Sequence, residues 1–116
     1  VHSEDGMDEI SPFAKTKIVE LNNGNIKSFL IDPADLNITN KNKENLKGKN
    51  ANYNAQKIVD IFKGADNEFS DSVALNAAAG LVISNKEKNF KKAYDISKQH
   101  LKSCKVFDHL QKIQAI

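Results

Sequence analysis

Apolar and polar positions alternate from Lys15 to Leu21 and again from Ile26 to Ile31, around Asn22-Asn23-Gly24-Asn25. A period of two marks half-buried strands, and Asn-Gly between two such runs is the strongest short hairpin signal. The segment reads as an antiparallel hairpin. A lone two-stranded hairpin is marginal in water, so one face must lie on a helix or the pair must add to a larger sheet. Asp32-Pro33 ends the second run, and Ala34 to Leu36 fits one helical turn.

Downstream the period changes to that of helices. Residues 37–50 are rich in Asn and Lys, poor in apolar side chains and closed by Gly48, which reads as a surface connection. Asn50 can cap a helix with the stripe Ala55, Ile58, Val59 and Phe62, and Gly64 follows its end. A second helix is expected from Ser70 or Asp71, and its residues Val73 to Ile83 leave scarcely any polar face. That pattern predicts a central helix, with Gly80 and the alanines allowing close backbone approach and Asn76 satisfied by a neighbouring backbone group. A third helix is expected from about Lys86, with Phe90, Ala93, Tyr94, Ser97 and Leu101 on one stripe, and a fourth carries Val106, Leu110 and Ile113. Both read as cover for a sheet. The pattern as a whole is α/β, a β-hairpin plus four helices in one domain.

Composition narrows the chemistry. All 17 basic residues are lysine, so the chain has no guanidinium for two-point recognition of phosphate or carboxylate. It can offer a diphosphate only point charges, backbone amides or a metal. A net charge of +2 with dispersed lysines argues against nucleic-acid binding. No apolar run approaches the 18 or so residues of a membrane span. A single cysteine excludes an internal disulfide framework and suits a reducing cytoplasm. Cys104 has no histidine placed to activate it, which argues against a catalytic thiol. His100 and His109 fall on helical segments among lysines and read as surface residues.

The acidic opening holds the candidate site. Glu4, Asp5, Asp8 and Glu9 lie within six positions around Gly6, and His2 precedes them. Oxygen-only ligands, with one or two protein carboxylates completed by water and substrate phosphates, are what Mg²⁺ prefers. Gly-flanked acidic residues are equally common in solvated turns. Spacing alone leaves both readings open, and His2 can touch substrate or only fix a strand end.

Further residues extend the pattern. Val1-His2, Gly6 and Asp8-Glu9, followed by Ser11, Thr16, Ile18 or Val19, and Glu20-Leu21, are similar to a Val-His-Gly-x-x-Gly-x-Asp-Glu-x-Ser stretch and a following Thr-x-Val-x-Glu-Leu. Asn54-Ala55, Asp71, the run Leu75 to Leu81, then Ser103, Lys105 and Leu110, follow in the same order. Together they resemble the anthranilate phosphoribosyltransferase family. The resemblance covers nearly the whole chain and implies a piece corresponding to roughly the last third of those enzymes. The implied fold is the C-terminal α/β domain shared with nucleoside phosphorylases, residues 1–116 forming part of it, with the helical N-terminal domain absent.

The resemblance also implies a role for the acidic loop. Asp8 and Glu9 would hold Mg²⁺ on the diphosphate of phosphoribosyl pyrophosphate, and His2 would contact substrate. The whole enzyme would join anthranilate to C1′ of the ribose in tryptophan biosynthesis, while this piece alone would be inactive. Ser3, Ala14 and Cys104 stand where the family has glycine, and non-glycine residues disfavour positive φ in those loops. Ser3 could also narrow the approach of substrate. Alternatives are a nucleoside phosphorylase-like piece, against which the Asp8-Glu9 pair argues, and a non-catalytic α+β interaction module. Without the family's upstream sheet, the hairpin edge and the Val73–Ile83 helix would lack partners, so self-association into a homo-oligomer is expected.

Overall fold

In the computed structural model of the chain, residues 1–38 and 42–116 are described. Residues 39–41, within the expected surface connection, lie outside them. The chain divides into two compact units, Val1–Lys41 and Asn42–Ile116.

The first unit is a three-stranded antiparallel sheet of β1 (His2–Ser3), β2 (Thr16–Asn22) and β3 (Asn25–Ile31), in that order. The hairpin closes as expected: Asn22 faces Asn25, and Asn23 and Gly24 take φ of 49° and 80°, the left-handed conformations that a two-residue turn matching strand twist requires. β1 is the additional strand, setting His2 opposite Lys17 and Ser3 opposite Thr16. Thr16 and Ile31 face each other on the inner side, and both are buried with Ile10 and Leu36. The outer side carries Val19, Leu21, Ile26 and Leu30, which are 56–73% exposed. The turn after β3 is a 3₁₀ helix over Pro33–Leu36, and Asp32 caps it by accepting from the Ala34 N–H at 3.0 Å.

The second unit begins with a 3₁₀ turn, Lys43–Leu46, and continues through α1 (Ala51–Phe62), α2 (Glu68–Ile83), α3 (Phe90–Lys102) and α4 (Lys105–Gln114). Asn50 caps α1 as expected, accepting from the Tyr53 N–H at 2.9 Å. The buried position of α1, however, is Ile61, while Ala55 and Ile58 are exposed. α2 starts two residues earlier than Ser70, because Asn67 and Ser70 form a reciprocal capping box. α3 starts at Phe90 rather than Lys86, with Asn89 as its cap; Asn85 at φ 56° and the residues after it form the connection.

α2 is not apolar-buried all round. Ala74, Leu75 and Ala78 are buried, whereas Val73 and Ile83 are 40% and 80% exposed. α3 packs along α2 with Ala93, Tyr94, Ser97 and Leu101 turned inward, the stripe expected apart from half-buried Phe90. Small residues on both helices permit that approach. Gly80 plays no part in it, since a Cβ there would meet nothing within 4 Å. α4 lies on α1 and α3, so within this unit the last two helices cover other helices and not a sheet. Asn76 donates its amide to the Ser72 carbonyl at 2.9 Å, the backbone partner expected of it.

Candidate functional site

The acidic loop between β1 and β2 is built by its own backbone. Ser3 N–H donates to the Met7 carbonyl at 3.1 Å, Gly6 N–H to the Ser3 carbonyl at 3.0 Å, and Glu4 N–H to the Lys15 carbonyl at 2.9 Å. Gly6 sits at φ 86°, a conformation costly for a side chain, and reverses the chain between the two acidic pairs. Buried Ser3 directs its hydroxyl to the Lys15 carbonyl at 3.3 Å. Its side chain is therefore turned into the loop. Ala14 is not among the residues at positive φ, so its Cβ is unstrained.

Of the four carboxylates Asp5 is engaged within the loop, while Glu4, like Asp8 and Glu9, is exposed. Asp5 accepts from the Met7 N–H at 3.2 Å and, through its other oxygen, from the Ser11 hydroxyl at 2.9 Å. The Ser11 hydroxyl in turn accepts from the Phe13 N–H at 3.0 Å, and Thr16 Oγ1 accepts from the Ser11 N–H at 3.1 Å. Asp5 thus closes the loop. Asp8 and Glu9 follow in the same loop and are both exposed. His2 is exposed on β1, opposite Lys17. Among the described residues no three His, Cys, Asp or Glu side chains are grouped to hold a metal ion. The exposed pair is a two-carboxylate arrangement, able to take a hard cation only with oxygens supplied by a ligand and water.

A second polar centre, which the sequence pattern did not reveal, joins α2 to α3. Asp71 Oδ1 accepts from the Tyr94 hydroxyl at 2.9 Å and from Lys98 Nζ at 2.6 Å. Lys98 Nζ also reaches Asp66 Oδ1 at 2.6 Å and Ser70 Oγ at 2.9 Å, and Lys102 holds the other Asp66 oxygen at 2.8 Å. Hydrogen bonds from Lys102 and Lys98 bring the Asp66 carboxyl down to about 2. Burial, and then the adjacent Asp71 charge, push the Tyr94 hydroxyl far above the ordinary phenol range. The Tyr94 hydroxyl and the Lys98 and Lys102 ammonium groups of α3 each meet an oxygen on or just before α2, which is the chemistry of a structural cross-tie. Only Asp71 had a sequence signal, as part of the family pattern. Its partners lie 23 and 27 positions away and are found only by folding.

At the break before α4, Cys104 takes φ 62°, and its thiol lies 3.3 Å from the Lys63 carbonyl. The left-handed conformation explains why a glycine suits this position. His100 and His109 are exposed on α3 and α4.

The family model described as "Glycosyl transferase family, a/b domain" matches residues 1–107. The chain belongs to this family. It is 51% identical over 116 residues to the anthranilate phosphoribosyltransferase of Pelagibacter ubique (strain HTCC1062), covering all of this chain and 35% of that protein. Over 113 residues it is 36% identical to the protein of the same name from Caldanaerobacter subterraneus subsp. tengcongensis, covering 97% of this chain and 33% of the relative. The crystal structure of anthranilate phosphoribosyltransferase from Thermus thermophilus superposes with a TM-score of 0.82 at 25% identity, over 93% of this chain and 32% of that one. The glycosyl transferase a/b-domain assignment therefore agrees in sequence and in fold. The chain spans about a third of the length of these relatives, the proportion its motifs implied. No helix among the described residues is long and apolar enough to cross a membrane.

Proposed function

We propose that the chain supplies the metal-holding part of an anthranilate phosphoribosyltransferase site, with phosphoribosyl pyrophosphate and anthranilate as substrates in tryptophan biosynthesis. The observation that carries this reading is the division of labour in the acidic loop. Asp5 is used to close it, which leaves the exposed Glu4, Asp8 and Glu9, and of these the adjacent Asp8-Glu9 pair is the one the family resemblance assigns to a ligand. Their donor set fits Mg²⁺: hard oxygens, two in number, on a loop held by bonds that do not involve them.

In this reading Asp8 and Glu9 would hold Mg²⁺, and His2 would contact substrate from β1. Bound Mg²⁺ supplies charge neutralisation as negative charge builds on the departing diphosphate. The chain's own task is positioning, and positioning supplies a large part of such catalysis. With no arginine in its sequence, the chain cannot clamp a phosphate or the anthranilate carboxylate bidentately. By itself it should turn over nothing, and the working assembly is a cytoplasmic homo-oligomer.

Loss of anthranilate fluorescence tests the reading. The 116-residue chain should show no transfer, whereas a chimaera carrying it in place of the matching third of the Pelagibacter ubique relative should be active. Turnover by the chain alone at about 1 s⁻¹, an ordinary enzyme rate, contradicts the positioning argument. An inactive but folded chimaera contradicts the functional assignment.

A further inference from the structure

We propose that Ser11 is a positioning residue for the metal pair: it ties the end of the Asp8-Glu9 segment to β2 and to Asp5, and so sets the direction in which the two carboxylates meet an ion. The proposal rests on the reading of Asp8 and Glu9 given above and adds the residue that holds them in place.

Ser11 is fixed first by its own neighbours. Pro12 follows it, and a proline ring confines the residue before it to extended backbone. The Ser11 hydroxyl accepts from the Phe13 N–H at 3.0 Å, closing a short turn over that proline. It donates to Asp5 Oδ2 at 2.9 Å, while the Ser11 N–H donates to Thr16 Oγ1 at 3.1 Å. Ser11 and Thr16 are both buried, and Thr16 is set in the sheet between Ser3 of β1 and Ile31 of β3. Ser11 thus carries the rigidity of the sheet into the loop.

The other end of the segment is tied to the same frame. Met7 N–H donates to Asp5 Oδ1 at 3.2 Å, and the Met7 carbonyl accepts from the Ser3 N–H at 3.1 Å. One carboxylate therefore brackets the pair, with Oδ1 on the residue before Asp8 and Oδ2 on the second residue after Glu9. Between these fastenings Ile10 is 1% exposed, so burial anchors the segment as well. Only Asp8 and Glu9 are left to vary. An ion that demands near-ideal geometry gains from such a frame, because ligands already in place lose less freedom on binding it, and the groups behind metal ligands set metal affinity. Ser11 acts on the ion through that backbone and does not touch it.

Two measurements on the chimaera test this: amide hydrogen exchange of residues 7–11 without metal, and calorimetric binding of Mg²⁺ with inorganic pyrophosphate. Ser11→Ala should speed exchange at Asp8 and Glu9 and weaken binding about threefold or more, the scale of one or two lost hydrogen bonds and less than the loss of a ligand. Variants of Thr16 separate positioning from stability. Thr16→Ser keeps the acceptor for the Ser11 N–H, so it should lower the melting temperature and leave binding unchanged. Thr16→Val keeps the volume without the acceptor and should weaken binding as Ser11→Ala does. Either Ser11→Ala or Thr16→Val, shown by circular dichroism to be folded, suffices for the comparison. If Asp8→Ala weakens binding while these variants bind normally, or if binding follows melting temperature through Thr16→Ser as well, the positioning role is overturned and the proposed function stands. Normal binding by both Asp8→Ala and Glu9→Ala overturns the two together.

Discussion

Two clusters of carboxylates, one in each unit, make opposite use of the same chemistry. Asp66, just before α2, and Asp71, on it, are held by Tyr94, Lys98 and Lys102 of α3. In the loop after β1 only Asp5 has that internal role, while Asp8 and Glu9 face solvent. The density of acidic residues is similar. What separates them is whether the fold supplies donors, and carboxylates without internal donors are the ones a ligand can use. The helical cluster ties two helices together, and on the proposed function the loop pair serves the ligand.

The largest effect should come from breaking the helical cluster. Asp71→Ala leaves Tyr94 without its acceptor and Lys98 with its charge only partly met at a nearly buried site. Removing one partner of a buried ion pair costs about 3–5 kcal/mol, and Tyr94→Phe, which deletes one hydrogen bond, should cost about 1 kcal/mol. Urea unfolding of the two variants checks the order. Equal small losses from both would show that Asp71 is not the centre of the cross-tie.

A smaller effect should appear in acid. The folded Asp66 carboxyl titrates at about 2, below the ordinary 3.8. Its stabilising contribution is thus present above pH 3.8 and is lost as pH falls through the window down to about 2. Because Asp66 is half exposed, solvent screening keeps the contribution small. Asp66→Asn should flatten the fall in melting temperature across that window, and a variant with an unchanged acid profile removes Asp66 as its source.

Much of this arrangement was legible in residue order wherever local chemistry dominates. Asn23-Gly24 set the hairpin because a two-residue turn needs positive φ, and Asn50 marked the start of α1 through its side-chain cap. β1 escaped notice because His2–Ser3 is too short to show a period. The early start of α2 was readable in principle, since Asn67 and Ser70 have capping-box spacing, but a serine replaces the usual glutamate at the last position. The apolar run Val73–Ile83 marked α2 but not which of its faces α3 covers, because composition carries no direction. In the site, the acidic pair and the loop glycine could be read directly. The role of Asp5 could not, because it depends on Ser11 six positions later.

The central claim is that Asp5 builds the loop while Asp8 and Glu9 serve the ligand. Melting temperature and Mg²⁺ activation, measured on the same samples of the chimaera, test it most directly. Asp8→Ala and Glu9→Ala should leave the melt unchanged, within about 0.5 kcal/mol as for other exposed sites, and raise the Mg²⁺ needed for half-maximal transfer at least tenfold. Asp5→Ala should lower the melting temperature. Unchanged Mg²⁺ activation in both the Asp8 and Glu9 variants, or a melt lowered as much by them as by Asp5→Ala, would contradict the account.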